Sequence, residues 1–268
     1  MKNKLPIGIF DSGLGGLTVL KSLQKLLPNE SFIYVGDTAH VPYGNKSQDA
    51  VIRYSREITK FLISNNVKLI IVACNTASSV AIRILQKEFM IPIIDVISPV
   101  QKLLDTGYYT TIKKIGIIGT YNTIQSKSYD RAINVNNRNI SIVSKACPLF
   151  VPIIEEGFHN NAIAKSIAHE YLEYFNIEKI DLLILGCTHY PIMFQTIQSV
   201  LVNNIAIIDS ALTTAKYVKY FLEKEKLDHS LDNNKTIQIM VTDKAPHFKQ
   251  FAQEILCNQQ LDIEEITI

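Results

Sequence analysis

The chain has no tryptophan, only four cysteines and few charges: Asp, Glu, Lys and Arg make up 19% of its 268 residues, against about 25% in an average soluble domain. The cysteines, Cys74, Cys147, Cys187 and Cys257, lie far apart, with no C-x-x-C and no histidine at finger spacing. Neither a zinc site nor a disulfide framework is expected. Charge of one sign is also missing. Lys plus Arg (27) nearly balances Asp plus Glu (25), and no segment concentrates the excess, so nucleic acid is not an expected partner. The opening MKNKLPIGIF lacks the apolar stretch of a secretory signal, which makes a cytoplasmic location the expectation. One run, 182–208, goes 27 residues without a charge, long enough to raise a membrane span. Thr188, His189, Pro191, Gln195, Gln198, Asn203 and Asn204 interrupt it, and that polarity argues against lipid.

What is present is a mostly apolar chain, 47% by composition, long enough for one large domain or two of about 130 residues. Short β-rich apolar runs recur with helical patterns between them, the signature of βαβ units and a parallel sheet covered on both faces. Strands are predicted at 6–10, 32–35, 69–73, 91–96, 114–119, 140–144, 181–186 and 206–209, with weaker ones at 236–241 and 264–268. Residues 48–64 place Val51, Ile58, Phe61 and Leu62 on one helical stripe, as a helix packed on a sheet would.

Two pairs of segments are alike. PIGIFDSGLGG and KIGIIGTYNT match with Ile7 opposite Ile115, an offset of 108, and IIVACNTAS and LLILGCTHY match with Cys74 opposite Cys187, an offset of 113. The expectation is an α/β fold of two pseudo-symmetric, doubly wound domains with mainly parallel sheets, and the site in the cleft between them. Residues 1–97 with 209–268 form the first and 98–208 the second. Each delivers a cysteine from the carboxyl end of a central strand, where open α/β sheets place ligands.

Buried central strands normally lack charge and a free cysteine is usually inert packing. The setting of Cys74 and Cys187 is different: each ends an apolar strand, is followed by Asn75 and Thr76 or by Thr188 and His189, and then by a helix. A helix N-terminus favours a thiolate. Two such thiols facing one substrate carbon allow one to remove a proton from one face while the other delivers a proton to the opposite face, inverting a stereocentre with no cofactor. A thiol's ordinary pKa of about 8.5 suits both roles after modest tuning. Asp11 and His189 are candidates to hold or shuttle a proton beside each thiol.

DSGLGG opens a helix after the first strand, but Thr18 stands where a dinucleotide fingerprint needs glycine and no Gly-Lys-Ser/Thr follows, which disfavours a nucleotide. Gly13, Gly15 and Gly16 are expected instead to let backbone amides approach a small anion such as a carboxylate, with Ser12 as a further donor. In VGDTAHVPYG, Pro42 and Gly44 make a turn and Tyr43 offers a phenol at its tip.

IFDSGLGGLTVL, YVGDTAHVPYG, VACNTASS, CPLFVPIIEEG and LGCTHYP, in this order between residues 9 and 191, resemble glutamate racemase of the aspartate/glutamate racemase superfamily. The resemblance implies a cofactor-independent isomerase interconverting L- and D-glutamate, supplying D-glutamate for peptidoglycan, and working as a homodimer. It implies that Cys74 acts on D-glutamate, assisted by Asp11, and Cys187 on L-glutamate, assisted by His189. Asp11, Ser12, Tyr43, Gly44, Asn75, Thr76, Thr188 and His189 are the implied substrate contacts, with Glu155 contributing in the cleft. No metal is implied. Cys147 and Cys257 match no catalytic position and are expected to be packing residues, and His40 stands where the family commonly has arginine.

Three other readings remain: a related racemase or decarboxylase with another substrate, a two-lobed protein binding an anionic solute, and a thiol-redox protein. The second cysteine argues against a decarboxylase. A binding protein needs no thiols, and a redox pair needs Cα atoms within about 7 Å, which a substrate held between the thiols would prevent.

Overall fold

The computed structural model describes residues 2–107, 111–136, 140–202, 205–228, 235–244 and 247–268. Asn203 and Asn204, two of the polar residues in the long uncharged run, lie outside them. The strands among the described residues are β1 (Ile7–Asp11), β2 (Phe32–Gly36), β3 (Leu69–Val72), β4 (Ile93–Asp95), β5 (Lys114–Gly119), β6 (Ser141–Ala146), β7 (Leu182–Gly186), β8 (Ala206–Asp209), β9 (Ile237–Val241) and β10 (Ile263–Glu265). They form two sheets, β10-β9-β2-β1-β3-β4 and β6-β5-β7-β8, and every pairing is parallel.

The order β2-β1-β3-β4 in the first sheet repeats as β6-β5-β7-β8 in the second. The register repeats with it. Ile7 pairs with Leu69 in one sheet and Ile115 with Leu182 in the other, so Cys74 and Cys187 each stand five residues beyond an equivalent pairing. The offsets of 108 and 113 seen in the sequence are therefore those of β1 to β5 and of β3 to β7.

Alternation along the strands separates the layers. Ile7 and Ile9 face a core shared with Leu17, Leu20, Ala211, Ala215 and Phe248, which extends to Leu183 and Leu185 of the second sheet. Phe10, Ile70 and Val72 face the other way, onto Val51, Ile58 and Leu62 of the helix Gln48–Ser64. That helix has the predicted bounds, with Phe61 half-buried at the edge of the stripe. Ile115, Ile117, Leu182 and Ile184 pack on Val100, Leu104, Tyr129 and Ile133.

The uncharged run 182–208 is divided into β7, a 3-10 turn at Tyr190–Met193, the helix Phe194–Val200 and β8. No helix among the described residues is long and apolar enough to cross a membrane. The final strand stops at Glu265 rather than reaching 268, because its neighbour β9 ends at Val241, the partner of Glu265. Lys68 is buried just before β3, donating at 2.6 Å to buried Glu30 and to the carbonyls of Asn3 and Leu227, so the ion pair has the further hydrogen bonds a buried charge requires.

Candidate active site

A parallel strand flanked by neighbours whose connections run in opposite directions leaves a crevice at its carboxyl end. β1 is such a strand between β2 and β3, and β5 is another between β6 and β7. The two crevices meet. One cavity is lined by Ser12, Tyr43, Gly44, Cys74, Asn75 and Thr76 from the first sheet's loops, and by Thr120, Val151, Cys187, Thr188 and His189 from the second's. The cavity leaves the centre of a water molecule about 20 Å³ to occupy, room for about one water.

Cys74 caps the helix Asn75–Val80, its Sγ accepting from the Ala77 amide at 3.5 Å and lying 3.7 Å from Ser12 Oγ. The helix was expected to favour the thiolate. Burial outweighs it: desolvation, with Asp11 adding repulsion, pushes the thiol up to about 12 against the pull of the Ala77 amide and Ser12. Cys187 is also buried, but it is followed by the 3-10 turn Tyr190–Met193 rather than directly by an α-helix, with Pro191 in the first turn. Its Sγ lies 3.8 Å from His189 Nδ1.

The other nitrogen of that ring, Nε2, is 3.0 Å from Glu155 Oε1, at the end of the helix Phe150–Glu155. Burial disfavours a charged imidazole, yet the contacts with Cys187 and Glu155 prevail and push His189 up to about 10. His189 thus lies between the Cys187 sulfur and the Glu155 carboxylate, and both contacts favour its charged form.

Asp11 is fully buried at the end of β1. Its Oδ2 accepts from the Gly13 amide at 2.9 Å and its Oδ1 from Thr188 Oγ1 at 3.4 Å. Burial raises its pKa, and the charge of His189 and these donors offset part of the rise. This revises the sequence reading of DSGLGG. The anion that the glycine-rich loop cradles is the loop's own Asp11, so the Gly13 amide is committed to it. The glycines serve close packing as well: a Cβ at Gly15 would fall 2.4 Å from both His189 Nδ1 and Thr188 Oγ1, and one at Gly16 2.4 Å from Asp11 Cβ.

Tyr43 is also used otherwise than its phenol suggested. Its hydroxyl donates to Asp37 at 2.5 Å, while Tyr43 and Gly44 of the turn at Tyr43–Asn45 line the cavity. Asp37 also accepts from Thr242 Oγ1 at 2.8 Å, and His40 Nδ1 lies 2.9 Å from it, with the His40 ring stacked on Tyr54 at 3.9 Å. His40 therefore braces the turn from outside and does not line the cavity.

Hydrogen bonds join the two halves around the site. Thr76 Oγ1 and Thr120 Oγ1 are 2.9 Å apart, Asn75 Nδ2 donates to Tyr129 at 2.8 Å, and Thr18 Oγ1 donates to the Thr188 carbonyl at 2.9 Å. Asn122 Nδ2 donates to the carbonyls of Tyr43 and Lys46. The structure thus brings Asp11, Ser12, Tyr43, Gly44, Asn75, Thr76, Thr188, His189 and both thiols together, with Glu155 behind His189. Thr120 was missed by sequence reasoning, although it follows GIIG, the run matched to GIFD, and so stands opposite Ser12. Cys147 is buried as expected, whereas Cys257 is exposed at the end of the helix Phe248–Leu256, with Lys21 Nζ 3.4 Å from its sulfur. Its helix turns its packed face inward through Phe248, Phe251, Ala252 and Ile255, and residue 257 falls past that face.

A family model described as Asp/Glu/Hydantoin racemase matches residues 7–218. The chain is 40% identical to a glutamate racemase of Geobacter metallireducens over 98% of this chain and 96% of that one. It is 43% identical to one of Chlorobaculum parvum over 97% and 95%. It is similar to the crystal structure of glutamate racemase from Francisella tularensis in complex with D-glutamate, with a TM-score of 0.92, 40% identity and coverage of 99% and 98%.

Proposed function

The chain belongs to the Asp/Glu/Hydantoin racemase family, and from that premise we propose that it is a glutamate racemase that interconverts L- and D-glutamate by proton transfer between two thiols and the α-carbon. The observation that carries the reading is the placing of Cys74 and Cys187 at equivalent strand ends of two like sheets, both lining one cavity.

In this reading the Cys187 thiolate takes the α-proton of L-glutamate, the electron pair of the C–H bond stays on carbon, and the Cys74 thiol delivers its proton to the opposite face. Cys187 leaves the step protonated and Cys74 ionised; the reverse sequence serves D-glutamate. The high pKa of Cys74 supports its role as donor toward the carbanion. His189, cationic and 3.8 Å from Cys187, is the proton partner of that thiol, and Asp11 that of Cys74. Ser12, Thr76, Thr188 and the backbone at Tyr43 and Gly44 are the contacts assigned to the substrate. Negative charge grows beside the α-carboxylate as the proton leaves, so donors aimed there act more strongly in the transition state than in the ground state.

In this reading the two halves part to admit the amino acid and close again over it, which excludes water from the carbanion. The same reading has the protein act in the cytoplasm as a homodimer and supply D-glutamate for peptidoglycan; these parts rest on the family resemblance. The reading is tested by following optical activity with L-glutamate and, separately, L-aspartate. Loss of the glutamate signal with aspartate unchanged is the expected result, and inversion of aspartate alone, or of neither, overturns it.

A further inference from the structure

Tyr129 belongs to the second half of the molecule, on the helix Ser128–Ile133, yet its phenol reaches the first. It is 2% exposed and accepts from Asn75 Nδ2 at 2.8 Å. Gly186, at the end of β7, makes room for the ring: a Cβ there would lie 3.1 Å from Tyr129 Cε2. The helix is tied to the same neighbour a second time, since Ser128 Oγ donates to the Ser79 carbonyl at 2.9 Å. Burial, with Asp95 nearby, raises the phenol's pKa, so the hydroxyl stays neutral.

With Nδ2 held by the phenol, the other end of the Asn75 amide is fixed by geometry. Asn75 lines the cavity, is 2% exposed, and its Oδ1 is buried with no hydrogen-bond partner. A buried acceptor left unmet is costly and marks a place where a donor belongs. Glutamate carries one donor group, its α-ammonium, because both carboxylates only accept.

We infer that Tyr129 is a positioning residue: from the second sheet's side it holds the Asn75 amide so that Oδ1 faces the cavity and receives the substrate's ammonium. The inference rests on the glutamate reading. Tyr129 touches no substrate. It couples amino-group recognition to the seating of the two halves, because the bond it makes exists only when helix Ser128–Ile133 lies against helix Asn75–Val80.

The test uses the whole chain with Tyr129→Phe, Asn75→Ala and the double variant. An ammonium contact made equally in ground and transition states acts on KM rather than kcat. Tyr129→Phe is expected to raise the KM for glutamate about tenfold, as loss of an oriented hydrogen bond does, with kcat little changed. In the Asn75→Ala background the same change should move KM by no more than about twofold, the scatter of independent sites. Inhibition by glutarate, which has the two carboxylates and no ammonium, should be the same in parent and Tyr129→Phe, whereas general loosening would weaken both ligands. A parent-like KM in Tyr129→Phe, multiplying effects in the double variant, or an equal loss for glutarate overturns the role while leaving a racemising parent as a racemase. A parent that leaves glutamate untouched removes the racemase reading and this inference with it.

Discussion

Thr188 Oγ1 donates to Asp11 Oδ1 across 3.4 Å, from the end of β7 in one sheet to the end of β1 in the other. The same carboxylate accepts from Gly13, and the Thr188 carbonyl accepts from Thr18. Asp11 and Thr188 are thus fixed relative to each other by two routes, one through side chains and one through the loop and helix after β1. Any substitution that wedges them apart disturbs both thiols' surroundings.

Gly15 is the position where such a wedge is smallest. The methyl of Gly15→Ala would fall 2.4 Å from His189 Nδ1 and Thr188 Oγ1, and neither can retreat without leaving Cys187 or Asp11. Activity should drop on the order of 10²-fold, the scale of an ångström-sized misplacement. Stability should fall by about 1–3 kcal/mol, the usual cost of overpacking. Steady-state kinetics beside denaturant melts separate the two effects. Unchanged kinetics would mean that the loop yields without moving His189.

Tyr43→Phe is predicted to behave in the opposite way. The phenol donates to buried Asp37, so its removal weakens the turn and should cost about 1–3 kcal/mol for a bond to a charged acceptor. The rest of Tyr43, which lines the cavity, remains, and kcat/KM should change little. A large loss of kcat/KM at unchanged stability would show that the hydroxyl serves the substrate instead.

The protonation of His189 gives a pH signature in stability. Its pKa in the folded chain is about 10, above the ordinary value of about 6.5 expected when unfolded. Between those values the native state binds one more proton, and stability falls as pH rises, by at most about 1.4 kcal/mol per pH unit for one proton. The contribution is whole below about pH 6.5 and gone above about 10. Glu155→Gln removes a partner that raises the folded-state pKa, so the decline, which begins at about pH 6.5 in both, should end at lower pH and be smaller in total in that variant. Denaturation midpoints collected across this range check it; identical profiles for parent and Glu155→Gln would contradict the assignment.

Much of this arrangement was legible before the structure. The helix Gln48–Ser64 follows from the spacing of Val51, Ile58 and Leu62, and the two thiols from apolar strands that break off at Cys74 and Cys187. The four-strand order that the two sheets share was foreshadowed by the paired segments, because parallel strands buried on both faces carry similar apolar runs. What escaped is partner choice across long separations. Asn75 bonds to Tyr129, 54 positions away, and Asn122 to the Tyr43 carbonyl, 79 away; no local pattern encodes either. The glycine-rich loop misled for a related reason: its amides suit any anion, and only the fold shows that Asp11 already fills the place. Thr120 could have been found, since the repeat that aligned Ile115 with Ile7 carries it opposite Ser12.

The central claim is that both thiols are required for one inversion, and the most direct test is incubation in deuterated water of L-glutamate with the parent, Cys74→Ser and Cys187→Ser, following optical rotation and α-deuterium together. The parent should invert glutamate with deuterium entering at the α-carbon. Each serine variant should lose inversion by about 10²- to 10⁴-fold, the contribution of a positioned acid or base. Inversion at the parent's rate in either variant would contradict the two-thiol account.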